Sequence, residues 1–141
     1  AGIDTKKETV LFTPDFYIDD TNPETIMKLV ASVSAKDCDI IICNKEDFDL
    51  LASMSLLYDL SFYDNSFLKD KYDFVTEEYD HTKNDTADDD ELGTVTYGID
   101  ISDSAVIKSS FINSDEQIIL CIGNGSERTE RTEAFISWLL D

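Results

Sequence analysis

Ile40-Ile-Ile-Cys43, held between Asp39 and Asn44, is the stretch that most restricts how this chain can fold. An unbroken apolar run rich in β-branched side chains places apolar groups on both faces of a short strand. Such a strand needs cover above and below, which predicts a central position in a sheet. The residues that follow predict a helix. Asn44 is placed to cap it, Asp47 stands three residues later, and acids fill the first turn. Phe48, Leu51 and Ala52 share one helical face, flanked by Leu50 and Met54. A helix leading directly out of a two-sided strand points to α/β layers rather than to an all-β sandwich.

Taken from the start, Thr9-Val-Leu-Phe-Thr13 is a β-rich run, Pro14 breaks or bulges it, and Phe16-Tyr-Ile18 follows. Pro23 suits the first position of a helix capped by Asn22 or Thr21. Ile26, Leu29, Val30 and Val33 then form an i, i+3, i+4, i+7 stripe, which predicts a helix over 23–35. Strand, helix and strand in this order imply parallel strands joined by a right-handed crossover. A third helix is expected after Asp64, with Leu68, Tyr72, Val75 and Tyr79 inward and Phe67 and Phe74 widening that face. Thr94–Ile101 alternates as a strand with Gly98 as a candidate bulge, and Ser102 or Asp103 is placed to cap a short helix through Ser109. Gln117–Ile122 is a second strand apolar on both faces. Gly123-Asn-Gly-Ser126 then turns into a last helix whose predicted inward face is Ala134, Phe135, Trp138 and Leu139. The expected fold is a three-layer α/β sandwich: a mostly parallel mixed sheet of about four to five strands, with helices on both faces. It forms one domain over 1–141.

Of these residues 42% are apolar, which is globular, and a chain of this length buries roughly 70% of its unfolded surface. The net charge of −20 is the extreme figure. It disfavours nucleic acid and anionic membrane surfaces, because phosphate meets repulsion almost everywhere. No run of apolar residues is long enough to span a bilayer, and no signal peptide is visible. The opening Ala1-Gly2 without Met is consistent with a processed or trimmed product.

Cys38, Cys43 and Cys121 have no metal-ligand spacing, and an odd count argues against a disulfide framework. Cys43 and Cys121 fall within predicted strands, where an unpaired thiol behaves as a small hydrophobe. The segment 80–91 is polar, acidic and aperiodic, and reads as an exposed loop. Its Asp85, Asp88 and Asp90 make an open Ca²⁺ candidate of millimolar affinity, without the spacing or central glycine of a calcium loop. Gly123–Ser126 lacks the third glycine of a dinucleotide fingerprint and the Lys-Ser/Thr of a P-loop. His81, the sole histidine, has no patterned nucleophile beside it. Neither catalysis nor a cofactor is expected.

Three segments resemble a known family. Asp37-Cys38-Asp39-Ile40-Ile41-Ile42, Asp47-Phe48-Asp49-Leu50-Leu51 and Leu56-Leu57-Tyr58-Asp59-Leu60-Ser61 are similar to the first lobe of bacterial extracytoplasmic solute-binding proteins, the type II periplasmic binding group. Ile118–Ser126 with Thr132–Leu139 resembles that family's strand, small-residue turn and returning helix. The resemblance implies a single lobe, the extracytoplasmic domain of a larger or membrane-anchored bacterial protein. It further implies a non-catalytic binding or sensing role toward a small solute or a protein partner. In a parallel sheet, strand C-termini and helix N-termini gather at one edge. Pro14, Asp15, Asn44, Lys45, Asn124 and Ser126 each follow a predicted strand and are the ligand-binding candidates. The competing expectation is an acidic interaction or scaffold module without a small-molecule ligand, recognising a basic partner.

Overall fold

The computed structural model describes residues 22–60, 72–79, 93–109, 116–127 and 129–140. Helix α1 (Pro23–Ser34) starts where its cap dictates: the Asn22 side chain accepts a hydrogen bond from the Glu24 N–H, and Pro23 occupies the first turn. Its stripe buries Leu29 and Val33. Strand β1 (Ile40–Asn44) follows, and helix α2 (Lys45–Ser53) leaves it directly, with the Asn44 side chain accepting from the Asp47 N–H at 2.8 Å. Asn44→Ala is expected to cost about 1 kcal/mol of stability, and Asn44→Asp much less. Urea denaturation of the two variants checks this.

Strands β2 (Phe74–Tyr79), β3 (Gly93–Asp100) and β4 (Ile118–Ile122) complete a sheet of order β1-β4-β3-β2 among the described strands. Every pairing in it is antiparallel. This overturns the expected mostly parallel sheet. Strand, helix and strand in succession imply parallel pairing only where those two strands are neighbours in one sheet, and a run apolar on both faces requires only that both faces be covered. Here helices pack on both faces of an antiparallel sheet. The first strand expected in the crossover, Thr9–Thr13, lies outside the described residues.

The central, wholly buried strand is β4. β1 stands at the edge of the described sheet, with Ile42 44% exposed. The third helix is also corrected: Asp64, Phe67 and Leu68 lie outside the described residues, and 74–79 is strand β2. Tyr72, Val75 and Tyr79 do have helical spacing. Phe74-Val-Thr-Glu-Glu-Tyr79 is nonetheless rich in aromatic and β-branched residues, and pairing with β3 decides its state. The bulge expected near Gly98 is present: Val75 faces Gly98 and Thr76 faces Thr96, so Tyr97 is the extra residue on β3.

Two cores lie on opposite faces. On one, Leu29 and Val33 of α1 and Phe48, Leu51 and Ala52 of α2 pack with Tyr97, Ile119 and Cys121. On the other, Ile99, Ile118, Leu120 and Ile122 meet Ile136 and Leu140 of the last helix, with Val106 and Ile107 of the short helix α3 (Ala105–Ser109) against them. Helix α3 is capped by Ser104 rather than by Ser102 or Asp103: its hydroxyl accepts from the Ile107 N–H. The last helix, α4 (Thr129–Leu140), buries Thr132, Ile136 and Leu140, so its inward face is rotated from the expected one. Trp138 is 61% exposed, and its ring lies 5.6 Å from that of half-buried Phe135.

Candidate functional site

Antiparallel pairing separates the residues that were expected to converge. Asn44 is opposite Ile118 at one end of the β1–β4 ladder, whereas Ile40 is opposite Ile122 at the other. Asn44 and Lys45 therefore lie at one end and Asn124 and Ser126 beyond the other, roughly 13 Å of strand apart. Pro14 and Asp15 lie outside the described residues, as do Asp85, Asp88 and Asp90.

Each of the four described candidates has a partner within the fold. Asn44 caps α2. Lys45 pairs with Asp49 and stands 5.0 Å above the Phe48 ring. The Asn124 amide donates to the Ser55 carbonyl at 2.5 Å, and its backbone N–H donates to the Leu56 carbonyl. The hydroxyl of buried Ser126 donates to Asp39 at 2.7 Å, while the Gly123 N–H donates to the Asp39 carbonyl at 3.0 Å. The turn after β4 is thus tied to the entry of β1 and to the segment leaving α2. These groups serve to close loops.

The other end of the ladder carries a network that the residue pattern did not single out. The Asp100 carboxylate accepts from the Ser102 N–H at 3.0 Å, the Ser102 hydroxyl at 2.6 Å and the Gln117 amide at 2.7 Å. The Ser102 hydroxyl accepts in turn from the Ile118 N–H at 2.9 Å. The Asp-x-Ser spacing of an Asx turn was its one sequence signal. Burial alone would raise the Asp100 carboxyl, but the hydrogen bonds from Ser102 and Gln117 outweigh it and hold the group below the usual carboxylate range. A lowered folded value adds stability that is full above the unfolded carboxylate pKa, about 3.9, and is lost as pH falls through the folded value. The urea-midpoint difference between the parent chain and Asp100→Asn should therefore shrink as pH is lowered from about 5 through that range. Nearby Asp47 moves the opposite way, raised by burial and then by the charges of Glu46 and Glu116.

Among the described residues, no group of three or more His, Cys, Asp or Glu side chains could hold a metal ion. Cys38, Cys43 and Cys121 are free thiols. Burial, then the Asp39 charge, raises the Cys38 thiol; a hydrogen bond with Cys43, then burial, raises that of Cys121. No described helix is long and apolar enough to cross a membrane.

The described class is thus a four-stranded antiparallel sheet with helices on both faces. No family model, no curated protein and no solved structure matches the chain.

Proposed function

We propose that this chain is a non-catalytic interaction domain that binds a cationic protein partner through its acidic surface, and that it works outside the cytoplasm. The observation that carries the first part is electrostatic. The net charge is −20, and every lysine among the described residues is already paired with an acid: Lys28 with Glu24, Lys36 with Glu127, Lys45 with Asp49 and Lys108 with Asp103. Exposed pairs of this kind add at most about 1 kcal/mol each to stability. Their larger consequence is a surface field of one sign, which steers basic partners and repels phosphate. The internal engagement of Asn44, Lys45, Asn124 and Ser126 favours this reading over a small-solute site built from them. The extracytoplasmic setting rests on the resemblance of 37–61 and 118–139 to solute-binding lobes.

Thermal denaturation with amino acids, sugars, simple anions and Ca²⁺ should show no saturating shift. Affinity for a partner cross-linked on intact cells should fall steeply as ionic strength rises from about 0.05 to 0.5 M, as screening shortens the reach of the field. A saturable shift of several degrees with one small solute would overturn the reading. Surface biotinylation of intact cells tests the location: a chain that labels only after lysis is not extracytoplasmic.

A further inference from the structure

Strand β1 pairs with β4 on one side and ends the described sheet on the other. The phase of its hydrogen bonding decides which groups look outward. The Gly123 N–H donates to the Asp39 carbonyl at 3.0 Å, so this pair is bonded across the ladder. Bonded and unbonded pairs alternate along antiparallel strands. The backbone of Ile41 and Cys43 therefore turns toward β4, and that of Ile40 and Ile42 turns away from it. The far side of β4 agrees: the Ile118 carbonyl, opposite Asn44, accepts from the Ile101 N–H just past β3. The outward Ile40 carbonyl receives only a 3.9 Å contact from the Cys38 thiol. The outward N–H and C=O of Ile42 have no partner among the described residues.

Sheets usually blunt such an edge with charge, proline or a bulge. Over residues 40–43 β1 has none of these: it is Ile-Ile-Ile-Cys in unbroken register with β4, and the Ile42 side chain is 44% exposed. The other edge of the described sheet, β2, carries Glu77 and Glu78. An unprotected edge is a template for one more strand. Charge sets what that strand must be. Asp37 and Asp39 precede β1, Glu46 and Asp47 follow it, and the nearby Lys36 and Lys45 are already paired with Glu127 and Asp49. A second copy would bring the same acids and a further charge of −20, so the field opposes self-pairing and favours a basic strand.

We propose that the β1 edge is where the cationic partner docks, as an extended segment of about five to seven residues that adds a strand to the sheet. The segment is β-branched at its centre, against Ile42, and carries Lys or Arg at both ends, against the acids that flank β1. This rests on the interaction reading above and gives it a place on the molecule. Backbone hydrogen bonds to Ile42 hold the segment, and the flanking acids select its charge.

The probe is a fluorescent peptide, Lys-Lys-Val-Thr-Val-Lys-Lys, compared with a copy N-methylated at Val, Thr and Val. The copy keeps the charge and loses the central N–H groups on both of its edges. At about 0.05 M salt the full chain should bind the plain peptide at least about tenfold more tightly than the methylated one. Ile42→Pro should abolish that preference while the fold survives, because the lost N–H points away from β4; circular dichroism verifies the fold. In amide exchange followed by NMR, the Ile42 N–H should exchange freely in the chain alone and slow at least about tenfold at saturating peptide, with Ile41 protected throughout. Equal affinity for the two peptides would overturn the edge site and leave the cationic-partner reading standing, whereas binding of neither would overturn both. An Ile42 amide already protected in the free chain would mean that this chain or a second copy fills the edge, which also overturns the proposal. The peptide pair and the exchange measurement use the unaltered chain, so an Ile42→Pro variant that fails to fold leaves the test intact.

Discussion

Phe48→Ala should lower the unfolding free energy by about 3–5 kcal/mol. Phe48 is fully buried (0% exposed) at the second turn of α2, the face that holds this helix on the sheet. It belongs to the core with Leu51, Tyr97, Ile119 and Cys121, and its ring edge fills the space above Gly98. Removing it forfeits the transfer free energy of the ring and leaves a void that flanking strands, hydrogen-bonded in register, can close only in part. Against a total stability of about 5–15 kcal/mol for an ordinary domain, this is a large share. Guanidinium denaturation followed by circular dichroism gives the value. Phe48→Leu, which keeps most of the volume, should lose about half as much or less. A loss under about 1 kcal/mol for Phe48→Ala would mean that α2 does not pack on the sheet as described.

What could be read from residues alone was whatever local chemistry decides. Asn22 with Pro23, and Asn44 with Asp47, specify where α1 and α2 begin, because a cap acts within one turn. Ile118–Ile122 was legible as a buried strand because five apolar residues admit little else. Strand direction was not legible, since β1 finds its partner at 118–122, far along the chain, and nothing near Ile40 encodes which way that partner runs. The same holds for 74–79, where pairing with β3 outweighed helical spacing. On α4, Ala134, Phe135, Trp138 and Leu139 are the more apolar stripe, yet Thr132, Ile136 and Leu140 face the core. The turn tied to Asp39 and the packing of Ile136 against the sheet fix the rotation of that helix, and neither is a local signal.

The candidate site failed to converge for the same reason as the sheet. Collecting Asn44 and Asn124 at one edge requires parallel strands. With β1 and β4 antiparallel, the residue after each strand goes to a different end. Asp39 with Ser126, and Asp100 with Gln117, then emerge as loop fasteners because each joins residues that the antiparallel register brings near, whereas Asp100 with Ser102 is a local turn.

Gly98→Ala is expected to destabilise the fold by about 1–3 kcal/mol. Intrinsic preference argues the other way, since alanine in place of a strand-interior glycine normally gains roughly 0.5–1 kcal/mol. Packing decides the sign. A Cβ at Gly98 would collide with the Cγ2 of Ile119 and approach Phe48 Cε2 to 3.0 Å. Both are fully buried side chains with no free direction in which to yield. The bulge sharpens the conflict, because the extra residue Tyr97 fixes where Gly98 meets β4, opposite Cys121. If the collision is the cause, trimming the obstacle must relieve it. Ile119→Ala alone should cost about 2–5 kcal/mol, but adding Gly98→Ala to it should cost little more. A double-mutant cycle by chemical denaturation would then show a coupling energy of about 0.5–3 kcal/mol. Strict additivity, or a stabilising Gly98→Ala, would mean that α2 stands further from β3 and β4 than the core requires. The Phe48 and Gly98 variants therefore test one contact from opposite sides, the first by emptying it and the second by overfilling it.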